Sequence, residues 1–265
     1  MERMERAMFG HKPLVVTALL SVSFSALAEM NTAELTQEGD RISASIEQTA
    51  TNSHAIVYQQ GNEGVVNLQQ LQGDGNQAVV TQRKESNQTD LVQSGSNNKA
   101  DIQQTTYYNS VTASQVGSNN ELLISSGEYL SSSTIRTNAQ GNDNSITIKQ
   151  SSDGNSLDYD VVGDANTVHI DQATMYETIA GTTVGNNNTV EIQQSGQYTG
   201  SIRLDQEGSF NSAFIDQASY EGASHTVMSQ TGTFNNAYVE QLRHYAGSNT
   251  TLTQTGTGNS ARVIQ

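Results

Sequence analysis

The sequence predicts an all-β, single-domain β-solenoid of about ten strand–turn–strand repeats with cross-β, amyloid-like stacking. Three observations predict it. A glycine stands three residues before an asparagine nine times, at intervals of 22 to 24 residues. After each asparagine, apolar residues follow two and four positions on. The only proline is Pro13, so nothing later in the chain interrupts a β ladder.

Residues 1–28 form a separate element. Arg3, Arg6 and Lys12 supply a positive stretch, an apolar run from Leu14 to Leu27 follows, and Ala26-Leu27-Ala28 is the small-x-small ending that a signal peptidase takes. The run is too short to cross about 30 Å of hydrocarbon as a helix, so a secretory signal cleaved before Glu29 is expected. No later stretch is apolar enough to span a membrane. Residues 29–36 make a short N-terminal segment, and 37–265 make the repeat array.

Composition fits an exported chain whose order comes from repetition. Only 34% of residues are hydrophobic and Trp is absent, a composition that ordinarily leaves a chain disordered. Val, Ile, Thr and Tyr are nevertheless frequent, and these favour pleated strands. Cysteine is absent, so disulfides do not supply the order. Without the signal, 9 basic and 25 acidic residues remain. That charge repels nucleic acid and anionic membranes and keeps like chains apart during export.

The nine glycine–asparagine pairs are Gly73/Asn76, Gly95/Asn98, Gly117/Asn120, Gly141/Asn144, Gly163/Asn166, Gly185/Asn188, Gly208/Asn211, Gly232/Asn235 and Gly256/Asn259. Six positions beyond the asparagine stands a glutamine in eight of them: Gln82, Gln104, Gln150, Gln172, Gln194, Gln217, Gln241 and Gln265. A looser version lies between these copies, as in Ser53-Ala55-Val57-Gln59, Asn87-Thr89-Leu91-Gln93 and Ser224-Thr226-Met228-Gln230. From Gln37 to Gln265 there are 20 such segments, 16 of them ending in glutamine. Ile42 and Gly64 occupy asparagine positions near the start.

Period-2 alternation over seven residues means strand, and the Gly, Ser, Asn and Asp between strands mean tight turns. One such unit cannot bury its apolar face alone, but a stack can. The alternation puts Asn, two apolar residues and Gln on one face. Lys99, Asp101, Glu191, Arg203, Asp216, Glu240 and Arg262 fall on the other. The amides therefore point inward. Buried amides must be paired, and in-register stacking lets each bond its counterpart in the next rung.

The segments Gln93–Gln104, Gln206–Gln217, Gln230–Gln241 and Gln254–Gln265 read Gln-x-Gly-x-x-Asn-x-Ala-x-x-x-Gln, and this resembles the curlin repeat. Ser-x5-Gln, as in Ser53–Gln59 and Ser224–Gln230, resembles its other half. The resemblance implies a curli subunit, major or minor: a bacterial cell-surface fimbrium, secreted through a dedicated pore, started by a nucleator, and serving adhesion and biofilm matrix. The chain departs from the familiar subunits in having about twice their repeats and no long Gly/Asn-rich leader, with only Glu29 to Thr36 available.

A solenoid has an unpaired edge at each end, and unpaired edges template further strands. The last rung is expected to pair with the first rung of another copy, a contact that does not close and so builds filaments. The tyrosines Tyr107, Tyr108, Tyr129, Tyr176, Tyr198, Tyr220 and Tyr245 track the looser turns and would line one edge as an aromatic stripe. Local turn packing is the plainer and favoured expectation; a surface for adhesion or dye and polyphenol binding is the sharper one. His54, His169, His225 and His244 fall at unlike repeat positions, and Asp and Glu are expected on outward faces and turns. No catalytic, cofactor or metal site is therefore expected. The competing class is a monomeric secreted solenoid that binds ice, glycan or a surface.

Overall fold

A computed structural model describes residues 19–24, 30–127, 132–196, 200–219, 222–244 and 247–265. Twenty-two strands lie among them, numbered from β1 (Leu19–Phe24), β2 (Thr32–Glu38) and β3 (Ser43–Gln48) to β20 (Asn236–His244), β21 (Asn249–Thr257) and β22 (Ser260–Ile264). The odd-numbered strands form one eleven-stranded sheet, called A here, and the even-numbered strands form a second, B. Every paired neighbour is parallel. The fold is all-β, a solenoid of about ten turns in which each turn contributes one strand to each sheet.

Register follows the sequence period. Residues 22 to 24 apart pair directly, as Ala213 with Ala237 and Ala237 with Ala261. The strands alternate buried and outward positions, and the inward Ala, Val, Ile and Leu side chains of both sheets merge into one core. Alternation on a pleated strand makes this automatic once one face is covered.

The glycine turns explain why the stack closes so tightly. Gly185 has φ of 118°, and a Cβ placed on it would stand 1.8 Å from the carbonyl oxygen of Gly208 one rung on. Any side chain would collide with backbone. The residue just before each asparagine then turns left-handed, at φ of 57° for Asn97 and 56° for Asn187. Asparagine tolerates that region better than most residues, although Phe210 and Phe234 also adopt it here, at 56° and 55°.

The N-terminal boundary differs from the sequence reading. The segment 29–36, read from the sequence as a short N-terminal segment outside the repeat array, contributes to a strand: β2 begins at Thr32 and pairs with His54–Gln60. Asn31, Ala33, Leu35 and Gln37 occupy the asparagine, apolar and glutamine positions. Within the expected signal, residues 19–24 form β1, which pairs with β3; the other residues of 1–28 lie outside the described residues.

Candidate functional site: the buried amide ladders

In sheet B the asparagines form a continuous spine. Asn76, Asn98, Asn120, Asn144, Asn166, Asn188, Asn211 and Asn235 are buried. Each Oδ1 accepts the backbone N–H of the next asparagine, at 3.0 to 3.1 Å from Asn76 through to Asn259. Each Nδ2 donates to a turn glycine one rung on, as Asn76 to Gly95, Asn166 to Gly185 and Asn235 to Gly256. The spine thus ties the strand start to the glycine corner. Gly73, Gly117, Gly141, Gly163, Gly208, Gly232 and Gly256 keep the same positive-φ corner throughout.

The glutamines form a second set of columns. In sheet B, Nε2 of Gln37, Gln59 and Gln82 donates to Oε1 of Gln59, Gln82 and Gln104 at 2.8 to 2.9 Å. Gln150, Gln172 and Gln194 continue the pattern at 2.8 and 3.0 Å. In sheet A, one run joins Gln48, Gln70, Gln93 and Gln115, and another joins Gln206, Gln230 and Gln254. Near the end of sheet B the Thr226 hydroxyl lies between Oε1 of Gln217 and Oε1 of Gln241, and Gln241 reaches Gln265 at 3.5 Å. All the glutamine-to-glutamine bonds run the same way, Nε2 toward the C-terminal rung.

That polarity explains three of the four buried amide atoms without a partner among the described residues; the fourth, Gln194 Nε2, stands in register with Gln217, whose Oε1 takes the Thr226 hydroxyl. Ser126 interrupts the sheet B ladder between Gln104 and Gln150. Ala139, Val161 and Thr183 interrupt sheet A between Gln115 and Gln206. Gln150 and Gln206 each open a run after a gap, and Gln48 opens the first run of sheet A. The Oε1 atoms of these three are buried without a hydrogen bond. The glutamine that would have donated to them is missing.

One carboxylate departs from the expectation that acids face outward. Glu177 occupies the asparagine position at the start of a sheet A strand and is fully buried. Among the described residues, neither carboxylate oxygen has a hydrogen-bond partner of normal geometry. Burial pushes its pKa up to about 8, an effect that the nearby Thr174 hydroxyl offsets only in part. The next rung accommodates it with Gly200, where a Cβ would stand 3.2 Å from Glu177 Oε1. Nothing in the repeat spacing distinguishes this glutamate from an outward one until the register is counted from Asn155.

The aromatic residues divide. Tyr107, Tyr108 and Tyr176 sit in the looser turns, with the Tyr107 and Tyr108 rings 6.4 Å apart and the Tyr176 ring packed on Gly154. Together with Glu85, Ser132, Asp153 and Gly154 they line a surface cleft of about 440 Å³. Tyr129, Tyr198, Tyr220 and Tyr245 lie outside the described residues. Two stacked pairs were not anticipated. Phe210 and Phe234 lie 5.0 Å apart in successive turns, and Phe214 and Tyr238 lie 4.8 Å apart on the outer face of sheet B, both with ring planes 7° apart. Both pairs arise because equal positions in adjacent repeats are neighbours.

These features define a class: a parallel, in-register β-solenoid whose core is laced by directional amide ladders. Residues 31–61 and 95–126 match the family described as curlin associated repeat. The curlin resemblance is thus supported at two places in the chain, and it favours a curli-related structural subunit over an enzyme. No curated protein matches the chain. Among the described residues, no helix is long and apolar enough to cross a membrane.

Proposed function

We propose that the chain is a secreted subunit that self-assembles into extracellular curli-type amyloid fibres, serving surface adhesion and biofilm matrix. The observation that carries this reading is the in-register ladder. The side chains that stabilise each rung are satisfied by an equivalent rung, so the outermost strands present unfinished ladders. Ala33, Leu35 and Val263 in those strands are only partly buried against the core. Another copy covers them by the interaction already used inside the molecule. Such a contact is heterologous and propagates. A secretion pore and a nucleating subunit complete the proposal, on the strength of the curlin resemblance.

The test is incubation of purified 29–265 in buffer, followed by electron microscopy and fibre diffraction. Fibres with reflections at about 4.8 and 10 Å are expected. A folded chain that stays monomeric would leave the rival reading, a binding solenoid. Removing residues 241–265 should slow polymerisation; unchanged kinetics would deny the C-terminal rungs a special part.

A further inference from the structure

Resting on the fibre reading, we infer that the end-to-end contact is directional and has one register, set by three matched residue pairs between β22 of one copy and β2 of the next: Asn259 with Asn31, Arg262 with Glu34, and Gln265 with Gln37.

The ladders themselves supply the direction. Gln37 opens its run and donates to Gln59, so its Oε1 faces away from the molecule as an acceptor. Gln265 closes the opposite end and receives from Gln241, so its Nε2 is the donor left over. The asparagine spine is polar in the opposite sense and equally complementary. Asn31 Oδ1 already accepts Ser53 N–H, as every spine asparagine accepts from the next rung, and its own N–H is the donor at that end. Asn259 donates to Asn235 and keeps Oδ1 for a following rung. Like ends brought together would set acceptor against acceptor in the glutamine column.

Charge fixes the register. Strand pairing places Glu34 and Arg262 in one outward column of sheet B, at its two extremes. Glu34 is exposed, and the Arg262 guanidinium lies 5.1 Å over the Tyr238 ring and 3.9 Å from Glu240. One further step of about 4.8 Å beyond β22 sets Glu34 of the next copy directly against Arg262. A slip of one residue would turn Ala33 and Leu35 outward, and a slip of two would separate the charges. In the full chain the same step brings β1 beside β21. In a chain processed before Glu29, sheet B carries the contact.

The chain has no cysteine, so a Glu34→Cys, Arg262→Cys double variant of 29–265 carries only the two thiols of interest. Within one molecule they are ten rungs apart, about 48 Å, whereas across the inferred contact their α-carbons are about 4.8 Å apart, within disulfide reach. Mild oxidation of its fibres should give a ladder of covalent multimers that reductant collapses, while each single variant stays monomeric on a denaturing gel. Fibres that form but do not cross-link, or dimers from either single variant, overturn the inference and leave the fibre reading standing. A wild-type chain that makes no fibres overturns the fibre reading and this contact with it. Independently, Glu34→Arg or Arg262→Glu should slow seeded elongation about tenfold, and combining them should restore it. Equal rates in all four proteins would also overturn the pairing.

Discussion

The ring of Tyr159 lies beside the bare α-carbon of Gly181 one rung on, where a Cβ would stand 2.8 Å from Tyr159 Cε2 and 2.1 Å from Leu204 O. The phenol is fully buried, and its oxygen lies 2.9 Å from the Thr183 hydroxyl. A large side chain in a thin core is thus matched by an empty position in its neighbour. The two have to be read together. Gly181→Val should destabilise the solenoid by about 3 kcal/mol, because it adds volume against both ring and backbone. Tyr159→Phe should cost about 1 kcal/mol, the loss of one buried hydrogen bond. Urea denaturation of the monomer measures both, and equal midpoints for the two variants would contradict the packing described.

The turn glycines should differ in tolerance according to what lies above them. Gly185→Ala meets the Gly208 carbonyl and should prevent an ordered stack. At Gly258, with φ of 71° and nothing within 4 Å of the added Cβ, Ala should cost only about 1 to 2 kcal/mol of backbone strain. Circular dichroism melting of the two variants separates the cases.

The gap at Ser126 should be fillable. Ser126→Gln places an amide between Gln104 and Gln150 and offers the unpaired Gln150 Oε1 a donor. A gain of about 1 kcal/mol is expected if the ladder joins across the gap. A lower melting temperature would show that the Ser126 hydroxyl bond to Asn109 Oδ1, at 3.0 Å, is the stronger contribution.

Glu177 should make folding pH-dependent in a known direction. Its carboxyl keeps its proton in the folded chain up to about pH 8, whereas the ordinary value is 4.5, so the fold holds more protons across that interval. Its contribution to stability is therefore full below about pH 4.5 and is lost as the pH rises to 8. Glu177→Gln should match wild type in acid and exceed it by about 4 kcal/mol at pH 8, since the cost of ionising a buried carboxyl is removed. Melting curves at the two pH values check this, and a constant difference would refute it.

Much of the architecture was legible in the chain. The recurring Gly-x-x-Asn corner and the alternation after it located the strands from β3 to β22, because both reflect local needs: positive φ at the glycine and a two-residue side-chain period. The first rung was less legible. Asn31, Ala33, Leu35 and Gln37 carry the same spacing, but no Gly-x-x-Asn corner within 29–36 introduces them. Glu177 was missed because a glutamate in a run of polar turn residues looks like any solvated acid.

The amino-acid order alone determined the period, the strand faces and the inward direction of the amides, since each depends only on neighbours a few residues away. Contacts between residues 22 to 24 positions apart decided the rest: the one-way glutamine ladders, the unpaired Oε1 atoms after each gap, the buried Glu177 and the fit of Tyr159 to Gly181. These depend on which side chain lies directly above which, and that is fixed only when the rungs are stacked.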